Sequence, residues 1–484
     1  MSNLSELLPT GGGQNVVEFV ADGNLANGQA VRLKTNGQVQ VISGASGSQA
    51  TYTPVDIGGG APNNTMTYGV AYSTNANKFV FLYTDTNYYV YAQVATVSGT
   101  GFSLATPVVV MSATSSAACI HYNPANYTFF IAYANNNYQG PGYARGASLS
   151  GTTLSLGGIV TWSTSNTPPE WMNSVYDSST NRHILCYGVA DPYPVRPYVA
   201  AFSGAYSISL QISKTDTFGT IANNAYANLS YDTAQNAVLI FSSNQSFQQL
   251  YRGMTTGGGS FTFGVTTVNS SPTVSGATLK SGYDKSSNKH LVGFRLQNGG
   301  NYNNYASVTL SGTTVTGVSN FINGPYVQSS SSTINSIAIW YDEVGKTMTV
   351  ASLAFNTTYP HIFPVDTSLA SGPVIGTVVI NENAQATKGI HGASGSSANA
   401  SYANAMFQMA TSGAPRGYLY QNAFSISDNT ELVGITAEAI SSGATGEVNV
   451  FGGINTVQTG LTVNADYYVQ GNGTLSTASA SPAV

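Results

Sequence analysis

Charge is what this chain has least of. Only 7% of its 484 residues are Asp, Glu, Lys or Arg, against roughly 25% in an ordinary soluble domain. Lys and Arg together number 15, too few for the phosphate-neutralising surface of a nucleic-acid binder. Cysteine is nearly absent. Cys119 and Cys186 make neither a disulfide framework nor a metal cluster, and inside strands they read as small buried hydrophobes. No apolar run approaches the roughly 18–20 residues that span a bilayer. The opening Met1-Ser2-Asn3-Leu4-Ser5-Glu6 lacks a basic stretch followed by an apolar one, so synthesis in the cytoplasm without a secretory signal is expected. Helical periodicity is missing as well. Pro168 to Met172 holds one helical turn at most.

Asn, Ser, Thr, Gln, 52 Gly and 31 Tyr fill the space left by charge. Hydrophobic content is 42%, enough for large cores. Abundant aromatic and β-branched residues with a net charge of −5 exclude a disordered chain. Short runs of Val, Ile, Tyr, Phe and Thr alternate with Gly, Asn and Ser clusters, the pattern of strands and turns. The fold class is all-β.

A unit repeats along the chain: a strand ending in Tyr, a polar turn, then an apolar strand. Its Tyr residues are Tyr72, Tyr122, Tyr176, Tyr231, Tyr283 and Tyr341, with successive spacings of 50, 54, 55, 52 and 58. A period near fifty suits a four-stranded propeller blade. The Asp or Asn after the Tyr accepts a hydrogen bond from the backbone two residues on. The later Asn or Gly tolerates positive φ before the next strand. The Tyr ring packs between sheets, and its hydroxyl needs a polar partner. A seventh, degenerate unit lies near 390–424. It is too short for four strands, and Thr51-Tyr52-Thr53-Pro54-Val55 is the candidate to complete it. The expectation is seven blades, with six as the alternative.

The two ends match each other. Leu25, Val31, Leu33, Asn36 and Gly37 correspond without a gap to Leu461, Tyr467, Val469, Asn472 and Gly473. Asn-Gly between apolar runs marks a hairpin. A closed propeller brings its ends together, so residues 1–45 and 425–484 are expected to form one small β-domain around a propeller of 46–424. Strands at Leu432 to Thr436 and Glu447 to Phe451 add to it.

The run from Leu432 to Ser476, with Leu432-Val433-Gly434-Ile435-Thr436, Gly446-Glu447-Val448-Asn449-Val450, Gly460-Leu461-Thr462 and Tyr467-Tyr468-Val469-Gln470-Gly471-Asn472-Gly473, resembles a module of tailed-phage virion proteins. That module recurs in tail fibres, capsid fibres and decoration proteins, especially of marine phages. The opening Leu7-Leu8-Pro9-Thr10-Gly11-Gly12-Gly13 resembles the start of such proteins. The likeness covers about 100 of the 484 residues and leaves the propeller unassigned. It implies a subunit of the virion surface that docks on other virion proteins or self-assembles, with threefold assembly usual for such fibres. Leu25, Val31, Leu33, Leu461, Tyr467 and Val469 are the assembly candidates.

Chemistry-bearing groups are sparse. Asp177, Asp232, Asp284 and Asp342 belong to the repeated turn. The other propeller acids, Asp85, Asp191 and Asp366 among them, show no spacing that links an acid to a nucleophile or base, as glycoside hydrolysis requires. No sialidase-type Asp box is present. The five His are scattered; His183 and His290 share one repeat position and read as structural. No catalytic residue, metal or cofactor is assigned. Loops rich in Tyr and Asn recur after each blade's second strand. They supply the ligand-binding candidates Tyr88, Tyr89, Tyr138, Tyr193, Tyr251, Tyr302, Tyr305 and Tyr359. Tyr stacks on sugar rings at little entropic cost, and Asn both donates and accepts. Such contacts are hardly screened by salt. The sequence thus predicts a non-enzymatic virion protein, a fibre-like or decoration appendage displaying a propeller toward a host glycan or receptor. A free lectin-like propeller and a purely structural head, collar or tail component are the alternatives. No membrane insertion is expected.

Overall fold

The computed structural model describes residues 16–33, 37–41, 55–57, 67–98, 101–135, 141–163, 169–189, 195–218, 226–244, 246–271, 273–296, 302–326, 337–343, 346–353, 360–368, 372–376, 379–380, 386–395, 404–410, 415–420, 432–450, 468–469 and 475–476. The chain divides into two units, one of residues 48–422 and one that joins 1–47 with 423–484.

The larger unit is a seven-bladed β-propeller. Its seven antiparallel sheets follow one another along the chain. The first strands are Thr67–Ser73, Ser115–Asn123, Trp171–Asp177, Ala227–Asp232, Val274–Asp284, Ile337–Asp342 and Ala386–Ser394. Each touches the next, and the last touches the first, so they form a closed inner ring. This circuit decides between six and seven blades. In most blades the outermost strand is broken, and both pieces pair with the third strand. Gly101–Leu104 and Val108–Met111 do so against Val90–Ser98.

The seventh blade is completed from the other end of the unit. Val55–Asp56 pairs antiparallel with Arg416 and Gly417; of the Thr51 to Val55 run that the sequence suggested, Val55 lies in this strand and Thr51 to Pro54 lie outside the described residues. The Arg416 Nε donates to Asp56 Oδ1 at 2.9 Å. The neighbouring Ile57 is fully buried with Phe81 and Phe102 of the first blade.

The repeated turn is built as its residue types require. In blades 2 to 5 the first-strand Asn or Asp accepts from the backbone two residues on: Ala125 N to Asn123 at 3.0 Å, Ser179 N to Asp177 at 3.0 Å, Ala234 N to Asp232 at 2.9 Å, and Ser286 N to Asp284 at 2.9 Å. Five residues after each repeat Tyr the backbone is left-handed, at Asn77, Tyr127, Asn181, Asn236, Asn288 and Lys346. The Tyr hydroxyl finds its partner inside the same turn. Tyr72, Tyr176, Tyr231 and Tyr283 donate to Asn77, Asn181, Asn236 and Asn288 at 2.9–3.2 Å. Tyr231 Oη also accepts from Ser179 N of the preceding blade at 3.2 Å. One tyrosine therefore ties its own turn and joins two blades.

Packing between blades follows a complementary rule. The residue before one repeat Tyr meets the residue seven after the next. Gly282 faces Met348, His121 bonds His183, and Ser230 bonds His290. Ala71 shares a core with Phe129, and Val175 with Val238. In three of these pairs a small residue sits against a large one, and in the other two like meets like, so the two positions fill the gap jointly. Asn side chains stitch the inner ring, where neighbouring first strands are not in one sheet. Asn173 donates to Ala227 O at 2.7 Å and accepts from Leu229 N at 3.1 Å. Asn228 accepts from Ser281 N at 3.0 Å.

The smaller unit is a five-stranded sheet in which Val16–Val20, Thr445–Val450, Leu432–Thr436, Ala30–Leu33 and Val39–Val41 lie side by side. The two strands from the C-terminal end lie together between the first and second strands of the N-terminal end, so neither end completes the sheet alone. Val31 pairs with Val41 and Leu33 with Val39 around a turn in which Gly37 has φ 82°. Near the other end Tyr468–Val469 pairs antiparallel with Leu475–Ser476.

Candidate functional site

The loops that join second to third strands all leave the same end of their blades, as do the connections that lead to the next blade. Two of these loops, that of blade 1 and, apart from Gln245, that of blade 4, are described and are built alike. Asp85 Oδ1 accepts from Asn87 N and Tyr89 N, each at 2.9 Å. Asn244 Oδ1 accepts from Gln248 N at 2.9 Å. In both, the fourth residue bonds back to the first: Tyr88 N to Asp85 O at 3.0 Å, and Phe247 N to Asn244 O at 2.9 Å. Tyr88 and Phe247 lie sixteen residues after Tyr72 and Tyr231. They are left-handed, at φ 63° and 59°. Among the described residues eight non-glycine residues have positive φ, and six of them are the repeat-turn positions. The other two are this aromatic pair. A bulky residue in that region is a backbone outlier.

Each loop is fastened to the next blade. Ser115 N donates to Tyr88 O at 3.0 Å, and Val274 N to Phe247 O at 2.7 Å. The aromatic side chain is thus held where one blade hands the chain to the next. Phe247 is 38% exposed and Tyr88 half-buried. At the first of these junctions Tyr68 adds a second phenol. Its hydroxyl donates to Ser115 O at 3.4 Å. Burial raises its pKa to about 12, with a smaller contribution from Tyr88. The arrangement offers aromatic faces, hydroxyls and amides, and Asp85 is occupied in holding its own loop.

The sequence-derived candidates divide. Tyr88, Tyr89 and Tyr302 are half-buried at this end of their blades. Tyr251 and Tyr305 are fully buried and are corrected to core residues. Tyr251 stacks on Phe241 at 5.1 Å, and Tyr305 meets Phe363 edge-on at 5.6 Å. Each stands on the third strand directly opposite or beside the second, where the alternation of side chains turns it inward. Tyr138, Tyr193 and Tyr359 lie outside the described residues. Phe247 was missed, because the loop was read from its tyrosines; the spacing of sixteen from the repeat Tyr identifies it. The assembly candidates are corrected as well. Leu25 and Val31 are buried in the core of the smaller unit, and Leu33 packs against them, so they build that sheet rather than a docking surface. Leu461 and Tyr467 lie outside the described residues.

A Ser–His–Asp grouping exists but is sealed. Ser230 Oγ and His290 Nδ1 are 2.7 Å apart, and His290 Nε2 lies 3.5 Å from Asp232 Oδ2. All three are buried. A nucleophile needs a reachable carbonyl, and this group joins blade 4 to blade 5. Among the described residues no three His, Cys, Asp or Glu come together as a metal site.

No known family profile matches the chain, and neither does any curated protein. Solved structures do resemble it. One is a fungal lectin from Aleuria aurantia with a six-bladed β-propeller fold, at 13% identity and TM-score 0.40, covering 66% of this chain and 98% of that one. A mercury-derivative form of the fucose-specific lectin from Aleuria aurantia is similar at 12% identity and TM-score 0.41, with the same shares. A mutant of AofleA from Arthrobotrys oligospora matches at 8% identity and TM-score 0.42, covering 70% of this chain and 95% of that one.

Proposed function

We propose that this chain is a non-enzymatic carbohydrate-binding β-propeller whose ligand sits on the end carrying the second-to-third-strand loops. The observation that carries the reading is the repeated presentation of Tyr88 and Phe247 on identically capped loops, each at a junction between blades. A flat aromatic face packs on the C–H face of a pyranose, while neighbouring amides and hydroxyls serve its hydroxyl groups. With charge at 7% of residues, such binding is nearly insensitive to salt. The test is a glycan-binding screen of the full chain, followed by calorimetry with Tyr88→Ala and Phe247→Ala. Loss of roughly tenfold in affinity in either variant, the scale of one buried aromatic anchor, supports the reading. Absence of glycan binding, or binding untouched by both changes, overturns it.

A second reading is favoured by the smaller unit. A sheet that interleaves strands from both ends of the chain suits a base on which a propeller is carried as an insertion. With the resemblance of residues 432–476 to virion modules, it supports a place on a virus particle, with other virion proteins or further copies, three by analogy with fibres, as partners. Light scattering with negative-stain imaging tests it. A multimer joined at one end with discs outward supports the appendage. A monomer that also fails to bind phage particles argues for the free lectin.

A further inference from the structure

The junction between blades 2 and 3 holds a directed chain of neutral imidazoles. His183 Nε2 faces Gly204 O at 3.2 Å, and a carbonyl only accepts, so Nε2 carries the proton and Nδ1 is an acceptor. His121 Nε2 lies 2.7 Å from that Nδ1 and must donate to it. His121 Nδ1 is then an acceptor, filled by Ser174 Oγ at 2.7 Å. Cys119 Sγ in turn donates to Ser174 Oγ at 3.3 Å. With both rings neutral, every one of these donors has an acceptor in a single direction.

Among the described residues this pair has no carboxylate partner. Phe130, on the second strand of blade 2, stacks on both rings at 5.2 and 4.8 Å. Phe202, across the sheet from His183, packs on Phe130 at 5.1 Å. Tyr176 approaches His183 at 5.7 Å. Cys119 is a buried thiol whose pKa burial lifts to about 12. Arg182 precedes His183 and lies opposite Asp177 in the sheet, on the other face by strand alternation. The Asp177 carboxylate is taken by Ser179, Thr180 and Thr256. Among the described residues no carboxylate bonds either ring. The junction between blades 4 and 5 differs. There His290 faces Asp232, which gives an added proton a partner.

We propose that the junction between blades 2 and 3 is an acid-sensitive seam of the propeller, opening before the rest when a proton enters the His121–His183 pair. A proton added to His183 Nδ1 turns it into a donor toward His121 Nε2. His121 must then release its Nε2 proton and donate from Nδ1 to Ser174. The hydrogen bonds can re-form in reverse, but a desolvated cation remains among Phe130, Phe202 and Cys119, and only opening to water relieves it. Burial accordingly holds His183 near 4, and burial beside His183 holds His121 well below its ordinary value. An opened state with ordinary histidine titration gains on the order of 50-fold per imidazole between pH 7 and 4.5. The inference does not depend on what the propeller binds.

Hydrogen exchange of the full chain at pH 7.0 and 4.5, corrected for intrinsic rates, tests it. Expected is a loss of protection of tenfold or more in Ser115–Asn123, Trp171–Asp177 and Arg182–Val189, beyond that in Ala227–Asp232 and Lys289–Leu296. The double variant His121→Ala/His183→Phe copies the Ala71–Phe129 pairing of blades 1 and 2, and removes the difference. Equal loss in all blades, or an unchanged selective loss in the double variant, overturns the proposal. If that variant fails to fold, imidazole nitrogen NMR of the natural chain decides. The seam requires His183 as the Nε2–H tautomer and neutral at pH 5.5; a ring titrating near 6.5 overturns it.

Discussion

Trp340 covers Gly392: a β-carbon on that glycine would stand 2.2 Å from the indole ring. The other two of the chain's three tryptophans do the same. Trp162 lies over Gly142 and Trp171 over Gly188, at 2.4 and 2.2 Å by the same measure. A glycine in a strand leaves a gap above the sheet, and an indole fills it. Trp340 is buried and Trp171 half-buried, so their freedom to move aside differs. Gly392→Ala is expected to lower stability by about 1–3 kcal/mol through overpacking. Gly188→Ala is expected to cost less, because the Trp171 ring can swing outward. Urea unfolding of both variants checks the order.

The repeated turn offers the opposite experiment. Four of its left-handed positions are Asn, which tolerates that backbone and receives the Tyr hydroxyl. Blade 2 instead places Tyr127 there, at φ 57° and 55% exposed. Tyr127→Asn relieves the strain and gives Tyr122 the acceptor that Tyr72 and Tyr176 have. It is expected to stabilise the chain by about 0.5–1 kcal/mol. The converse change Asn236→Ala is expected to cost about 1–2 kcal/mol, since it removes the acceptor and places a β-carbon at positive φ. Thermal melts of both decide it.

These two cases show why some of the structure was legible and some was not. The turn was legible because its chemistry is local. Tyr, Asp and Asn recur at fixed offsets, and each has a conformational reason to be there. The pairings of Val31–Leu33 with Val39–Val41 and of Tyr468–Val469 with Leu475–Ser476 fall where the apolar runs flanking Asn-Gly were read as strands. Tyr251 and Tyr305 were misread because a tyrosine near a loop and a tyrosine one strand position inward look alike in sequence; cross-strand register alone turns them into the core. The His121–His183 contact joins residues 62 apart, and nothing local marks it. Leu25 and Val31 likewise looked like a surface for a partner, whereas their partner is the other end of the same chain.

Closure of the propeller pits a visible ion pair against an inconspicuous apolar residue. Asp56 and Arg416 are 2.9 Å apart but 51% and 28% exposed, and exposed pairs contribute about 0–1 kcal/mol. Ile57, the next residue, is fully buried against Phe81 and Phe102. Asp56→Ala is therefore expected to cost less than about 1 kcal/mol, and Ile57→Ala about 2–4 kcal/mol. A larger effect from Asp56→Ala than from Ile57→Ala in denaturant titrations would show that the strand pairing is held by charge after all.

Acid should weaken the whole chain in two windows. His121, His183 and His290 are buried, and burial lowers the pKa of each, to about 4 for His183. A group whose folded pKa lies below its unfolded value of about 6.5 leaves the unfolded chain with more protons once pH falls below that value. Stability is then full above about pH 6.5 and declines as pH falls toward 4, by about 1.4 kcal/mol per pH unit for each imidazole kept neutral. Asp177 is held below its ordinary value by hydrogen bonds from Ser179, Thr180 and Thr256, against burial, which raises it. Its contribution is present above the unfolded carboxylate range and is lost as pH falls through the depressed folded value. Denaturant midpoints measured from pH 8 to 3 are expected to be flat at first, to slope downward from about 6.5, and to fall again below about 4. Replacing His121 and His183 as the Ala–Phe pair should flatten the first slope and leave the second. A profile with no slope between pH 6.5 and 4.5 would mean that these rings are already solvated in the folded chain.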